Sequence, residues 1–434
     1  LGGLSTTHIG PVSDFVRSSG PKALYDNSAQ LTTARNMLTQ RATYLTSLGT
    51  GGIRWYRDVQ NVPWGMIEVD RDRFQFELLD TIVQTTQSVN GRYVGTVMPY
   101  AGWEFRAAGY TPTTDEQCQR LLTEDFYYLA FDQCMDRYKD EAEYLDFLGR
   151  VVERYDGDGV DDMPGLTTPI KYWQIHNEPE GDHCGLFRSD PTEFVRLMRV
   201  SYELIHASCA DCFVVNGGAG IPLWRETQNP VPPGVNFWRD YANAGGAPYL
   251  DVIAIHYNQG KDPDHGNVAD FEYQMRRARE LLGDAKPLWV TEFGVVIGTN
   301  LGNFTGLSEK DAAAWYVRMY AAGLAGGATK FFPDAPAFIE MNGTTYLPFY
   351  VQKLLLAKLS GFTSATRVAT GQYRFRVNGS DVWIVWNGMP LTGTVKATDM
   401  YGNETIAQAS TLAPSELAPL ILESVGSRRR AANH

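Results

Sequence analysis

No run in the 434-residue chain reaches the roughly 18 consecutive apolar residues that a membrane-spanning helix needs. Basic charge is scarce too: 38 Lys and Arg face 50 Asp and Glu, a formal net charge of −12. That balance disfavours nucleic acid as a partner, since phosphates want a basic surface, and it makes an anionic membrane a poor target. No Gly-rich phosphate loop follows the first predicted strand, which argues against a doubly wound nucleotide-binding sheet. Cysteine is sparse, with five residues. Cys118 and Cys134 bracket a polar insertion, Cys209 and Cys212 form a Cys-x-x-Cys pair, and Cys184 is left over. Zinc would need two more ligands than that pair offers, and a redox centre fits poorly because the pair does not open a helix after a strand. Two disulfides plus one free thiol fit a secreted, extracellular protein, with the connectivity left open. Leu1–Gly10 lacks the charged and apolar regions of a signal peptide, so any such signal is expected outside the numbered residues.

What is present is ordinary for a soluble globular protein: 44% hydrophobic and 20% charged residues. Aromatics reach 12%, including ten Trp. Trp rings either build cores or stack on the apolar C–H faces of sugars. A strand-then-helix rhythm repeats from the N-terminus to about residue 360. Strands are expected at 3–8, 53–56, 93–98, 170–175, 212–216, 250–255, 288–291 and 329–332. Between them, apolar residues recur at helical spacing, as in Phe194, Val195, Met198, Tyr202 and Ile205. Ser308 followed by Asp311 reads as an N-cap box opening a long helix, and the last helix is expected over 347–359. Eight β/α units in series predict an α/β fold, a (β/α)8 TIM barrel over residues 1–361. After Gly361 the rhythm changes to short strands with turn signals at Asn378–Gly379, Asn387–Gly388 and Gly402–Asn403. These predict a small C-terminal β-sandwich over 362–425, with 426–434 as a disordered tail. Trp383 and Trp386 stand an odd number of residues apart, so they are expected on opposite faces of their strand.

A barrel of this kind carries its active site at the C-terminal ends of its strands. The residues there are Arg57 and Asp58 after strand two, Tyr100 and Trp103 after strand three, and His176–Asn177–Glu178–Pro179 after strand four. His256, Tyr257 and Asn258 follow strand six, Glu292 follows strand seven, and Asp334 follows strand eight. Glu178 and Glu292 would face each other across the mouth. Two carboxylates are what glycoside hydrolysis needs, one protonated for the leaving oxygen and one ionised at the anomeric carbon. Arg57 beneath Glu292 would favour the charged partner.

The segment Lys171–Pro179, ending His176–Asn177–Glu178–Pro179, resembles the acid/base strand of clan A glycoside hydrolases. Leu288–Gly294 resembles the clan's nucleophile strand, and Ile53–Arg57 resembles its strand two. With Asp251–His256, these stretches are most similar to glycoside hydrolase family 39 and its bacterial relatives. The resemblance implies a retaining mechanism, with Glu178 as acid/base and Glu292 as nucleophile. It also implies Asn177 on the sugar's 2-hydroxyl and His256 in the same subsite. Arg57, Trp103, His176, Tyr257 and Asp334 complete the expected substrate-binding set. The chain departs from the pattern at His176, where Trp is usual before the Asn, and at Phe331–Asp334, where a Trp platform is usual. It departs again at Asn258, which stands where a Tyr is usual. These departures bear on the identity of the bound sugar.

No catalytic metal or organic cofactor is expected. Asp156, Asp158 and Asp161, interleaved with turn glycines, could hold a structural calcium, because Ca²⁺ takes six to eight oxygens on a tight bend. The expected partner is a carbohydrate, with oligomeric state left open. The long insertions 102–140 and 222–233 favour cleft walls and action on a polysaccharide. An exo-acting β-glycosidase such as a β-xylosidase, a transglycosylase using the same residues, and a non-catalytic carbohydrate-binding protein on a degenerate barrel are the alternatives.

Overall fold

A computed structural model describes residues 3–6, 21–50, 52–58, 62–107, 138, 140–180, 190–231, 234–258, 267–298, 306–334, 338–339 and 344–425. Cys118, Cys134, Cys184, most of the insertion after Trp103 and the tail 426–434 lie outside the described residues. Among the described residues, eight main strands alternate with eight main helices. The strands are β1 (Gly3–Thr6), β2 (Trp55–Asp58), β3 (Arg92–Met98), β4 (Tyr172–Ile175), β5 (Phe213–Val215), β6 (Ile253–Asn258), β7 (Leu288–Gly294) and β8 (Ala328–Pro333). The helices are α1 (Ser28–Thr50), α2 (Glu77–Ser88), α3 (Glu141–Tyr155), α4 (Pro191–Ser208), α5 (Phe237–Asn243), α6 (Val268–Leu282), α7 (Glu309–Ala325) and α8 (Leu347–Leu359). Their caps are local chemistry. Asp140, Asp190, Asn267 and Ser308 each accept a hydrogen bond from a first-turn amide, so α3, α4, α6 and α7 start where an N-cap residue stands.

All pairings among these strands are parallel and fall into two sheets, β1-β2-β3-β4-β5 and β8-β7-β6. No ladder joins β5 to β6 among the described residues; they meet through the parallel bridges Val215–Val252 and Ala219–Ile255, with the Asn216 amide group between the two. Its Nδ2 donates to the Ala254 carbonyl at 3.0 Å and its Oδ1 accepts from the Ala254 amide at 2.5 Å. β8 lies beside β1, but no ladder joins them among the described residues. Inward-facing side chains form a core of Val94, Val215, Val252, Ala254, Trp289 and Phe332. The helices bury their apolar stripes on the outside of the strands, as in Phe194, Leu197, Met198 and Ile205 of α4.

The C-terminal region is one antiparallel sheet, not the expected sandwich of two. It comprises β9 (Phe362–Ala369), β10 (Gln372–Val377), β11 (Ser380–Val385), β12 (Thr394–Thr398), β13 (Glu404–Gln408) and β14 (Leu420–Ser424), in the order β9-β10-β11-β14-β12-β13. One face packs on the α/β core through Tyr373, Phe375, Val377, Ile384 and Trp386. The other closes its own small cluster around Trp383, Val385, Val395 and Leu422. Trp383 and Trp386 therefore do take opposite faces, and both are buried. A disulfide joins Cys209 and Cys212 at the turn between α4 and β5. Among the described residues no helix is long and apolar enough to cross a membrane.

Candidate active site

Glu292 lies near the end of β7, where the strand carries a bulge. Val290 pairs with Ile255 but Glu292 pairs with His256, so one extra residue, Thr291, is accommodated on β7. The shift turns Glu292 to the same side as His256. Arg57, the third residue of β2, comes from the opposite side and is fully buried. Its Nη1 lies 3.0 Å from Glu292 Oε1 and also donates to the Thr291 carbonyl at 3.2 Å. Its Nε donates to Gln174 Oε1 at 2.7 Å, and its Nη2 donates to Asn177 Oδ1. A buried cation of this kind is tolerable because its donors are matched and a carboxylate compensates its charge. Gln174 was not anticipated from the sequence. A polar residue inside the otherwise apolar β4 was the available signal.

Glu178 lies three residues past β4 in a backbone bent by two left-handed residues, His176 at φ 68° and Glu178 at φ 44°. Each such non-glycine residue costs on the order of 1–2 kcal/mol, strain of a kind that collects at functional sites. The bend is pinned where the Glu178 amide donates to the Gly217 carbonyl at 2.8 Å. Glu178 Oε1 lies 2.7 Å from His256 Nδ1, which is also 3.6 Å from Glu292 Oε2. One oxygen from each carboxylate and a His256 ring nitrogen all fall within 4.8 Å of one another. His256 is fully enclosed. Burial alone would lower its pKa, but the negative charge of Glu292 and the hydrogen bond to Glu178 outweigh that and raise it. The three groups could ligate a metal by type, yet Arg57 already supplies the positive charge that Glu292 faces.

The wall beside these groups is glycine. A Cβ at Gly220 would stand 2.2 Å from Glu178 Oε1, and one at Gly218 (φ 77°) would stand 2.2 Å from His256 Nε2. Only glycine leaves room there. The same loop is held by Glu180, whose Oε1 accepts from the Gly220 and Ile221 amides at 2.6 and 3.2 Å. Burial, with Glu178's charge adding to it, pushes the Glu180 pKa up to about 7. Gly217–Gly218–Ala219–Gly220 and Glu180 were not anticipated, although three glycines straight after a strand were visible.

Asp334 sits over Gly294, whose Cβ would collide with Asp334 Oδ2 at 2.4 Å. Asn258 pairs in register with that glycine. Asp334 Oδ1 and Asn258 Oδ1 are both buried with no hydrogen-bond partner among the described residues. Two such acceptors beside Glu292 are what a hydroxyl-rich ligand would satisfy. Asn258 joins the site in place of its neighbour.

Three expected residues are elsewhere. Tyr257 follows His256 in β6 and so points to the outer face, donating its hydroxyl to the Asn267 carbonyl at 2.7 Å with its ring on Phe271. Trp103 is a core residue. Its indole donates to the Glu68 carbonyl at 2.7 Å and packs edge-on against Trp64. His176 is fully buried between Tyr100 and Phe194, and that burial lowers its pKa to about 4. In the acidic turn, Asp162 rather than Asp161 joins Asp156 and Asp158. Asp162 accepts from the Gly157 and Gly159 amides at 3.0 and 2.9 Å, while Asp161 takes the left-handed backbone at φ 45°.

No family model and no curated protein sequence matches the chain. Solved structures do. A family 39 glycoside hydrolase from Bacteroides cellulosilyticus WH2 superposes with a TM-score of 0.59 at 14% identity, over 89% of this chain and 78% of that one. A family 39 β-xylosidase from Caulobacter crescentus gives 0.54 at 12% identity, over 97% and 95%. A family 30 endoxylanase from Clostridium papyrosolvens C71 gives 0.52 at 13% identity, over 97% and 95%. At these identities the likeness is one of fold. The chain folds as clan A glycoside hydrolases of families 39 and 30 do.

Proposed function

We propose that the chain is a retaining β-glycoside hydrolase whose two parallel sheets are the halves of a (β/α)8 barrel. The observation that carries this reading is the pairing of Glu178 and Glu292, with oxygens within 4.8 Å and His256 bridging them. Retaining pairs stand about 5–5.5 Å apart, whereas inverting pairs need about 6.5–9.5 Å to admit a water. In the first step Glu292 attacks the anomeric carbon, the glycosidic C–O bond breaks, and the leaving oxygen takes the proton of Glu178. In the second step the Glu178 carboxylate takes a proton from water, whose oxygen attacks the same carbon and releases Glu292. Arg57 supplies the counter-charge and aims the Glu292 carboxylate. Asn177, whose Oδ1 accepts from Arg57 Nη2, is assigned to the sugar's 2-hydroxyl.

The reading makes a sharp prediction on aryl β-glycosides. Glu178→Gln and Glu292→Gln should each lower kcat/KM by about 10³-fold or more. Glu292→Gly should regain turnover with azide and give a glycosyl azide of inverted configuration. Turnover unchanged in both Gln variants would reject the assignment. A panel of β-glycosides and polysaccharides, read by product length, identifies the substrate.

A further inference from the structure

The N-terminal ends of the parallel strands carry a second constellation. Trp55 opens β2, Arg92 opens β3, Tyr172 opens β4 and Phe213 opens β5, and Trp289 and Lys330 lie near the starts of β7 and β8. Trp55 pairs in register with Arg92, Tyr172 with Phe213, and Trp289 with Lys330, so the six form one layer across the floor of the core. The rings touch. Trp55 lies 5.3 Å from Tyr172 and 5.7 Å from Trp289, and Tyr172 lies 4.9 Å from Phe213. Tyr172 opens β4 whereas Glu178 lies three residues past its end, so the two constellations lie at opposite ends of the strand.

Two features set this floor apart from a structural plug. The first is charge. Lys330 Nζ stands 3.7 Å from the Trp55 ring centre and the Arg92 guanidinium 5.5 Å from it. No carboxylate pairs with either cation among the described residues, in a chain of net charge −12. The second is space. A cavity of about 460 Å³ opens beside the layer, lined by Trp55, Tyr172, Arg92, Lys171, Asn90 and Thr168 among others, with no acidic side chain in its wall. Its size is that of a small-molecule site. Lys171 is already matched by Asp211 at 2.6 Å, which leaves Arg92 as the cation on offer to a ligand.

We propose that this floor cavity is a second carbohydrate site, which takes a carboxylate-bearing sugar, a uronic acid residue, with its ring on Trp55 or Tyr172 and its carboxylate on Arg92. The guanidinium fork matches a carboxylate bidentately, and an aromatic face takes the C–H face of the pyranose. Asn90 and Thr168 are left for its hydroxyls. An acidic chain held here would be tethered to the molecule on the side away from Glu178 and Glu292, raising the local concentration of substrate. That the ligand is a sugar rests on the hydrolase reading, whereas its negative charge rests on the floor alone.

The test is calorimetric titration of the full chain carrying Glu292→Gln, which stops turnover, with oligogalacturonate and with the same oligosaccharide after carboxyl reduction. The acidic form should bind, and the reduced form should bind about tenfold or more weakly. Adding Arg92→Gln should weaken acid binding to the same degree, while Arg92→Gln alone should leave aryl-glycoside turnover unchanged. Equal binding of the two oligosaccharides, acid binding that survives Arg92→Gln, or a Glu-rich peptide bound as tightly as oligogalacturonate would each overturn the proposal. Aryl-glycoside turnover without acid-selective binding would sink this site alone. Acid-selective binding in a chain that cleaves no glycoside would sink only the hydrolase reading.

Discussion

Asp334 is held over Gly294 with its carboxyl buried and the charges of Glu292 and Glu178 nearby. Burial is the largest influence and the two carboxylates add to it, so its pKa is pushed up to about 7 although His256 and Arg57 pull the other way. The folded protein therefore keeps this proton across a range where the unfolded chain, near 3.8, has lost it. The stability associated with Asp334 is full at low pH and falls as pH rises from about 4 through 7, the reverse of a salt-bridged Asp. Glu180, raised from 4.5 to about 7, acts in the same direction. For the proposed activity, Asp334 adds no charge beside Glu292 while it keeps its proton, and its ionisation would bring a further negative charge next to that carboxylate. An alkaline limb in kcat/KM with an apparent pKa near 7 is expected. Because these groups titrate together, the limb belongs to the cluster rather than to one residue. Asp334→Asn, which stays neutral, should move the limb to higher pH. A limb left in place in that variant would show that Asp334 does not set it.

At the scale of elements, the join between β5 and β6 combines two backbone bridges with one buried side chain. The Asn216 amide adds two bonds to Ala254 between the bridges Val215–Val252 and Ala219–Ile255, and Asn216 and Ala254 are fully buried. Asn216→Ala should destabilise the fold by about 1–3 kcal/mol per backbone group left unpaired, read from urea unfolding. The loop that walls the two carboxylates follows directly, so the variant should also lower kcat; a variant as stable and active as the parent would show that the backbone bridges alone hold the join. Elements with a buried face were legible in the sequence. Helix α8 spans the expected 347–359, and Ser308 caps α7 by accepting from the Asp311 amide at 3.1 Å. β9 and β13 are mostly exposed edge strands, so no apolar alternation marks them in the sequence. The carboxylates, Arg57 and His256 were legible because each follows or ends a strand. Tyr257 was misplaced by proximity in sequence, although strand alternation sends the neighbour of an inward residue outward. The bulge at Thr291 and the left-handed bend at Glu178 left no residue signature of their own, since both arise from strand register and tertiary contact.

For the whole molecule, the question is whether the C-terminal sheet is a separate unit. Its inner face shares one continuous core with the α/β part: Tyr373, Phe375, Val377, Ile384 and Trp386 belong to the same cluster as α7 and α8. Polar ties cross the same boundary. Lys358 of α8 reaches Glu404 and Glu423 at 2.7 Å each, Arg318 of α7 reaches Glu416 at 3.1 Å, and the Tyr373 hydroxyl donates to Glu272 of α6 at 2.7 Å. Arg318 and Lys358 are largely covered, with side-chain exposures of 15% and 14%. A chain ending at residue 361 would leave both cations without these carboxylates and uncover the apolar faces of α7 and α8. Each large side chain so exposed forfeits about 1.5–3 kcal/mol, so a few of them match the whole stability of a typical domain. The full chain should unfold in one calorimetric transition, and the truncated chain should aggregate or melt far below it. Two resolved transitions in the full chain, with the truncated form melting at one of them, would instead show two units folding independently, and the shared core would then add nothing to the stability of the α/β part.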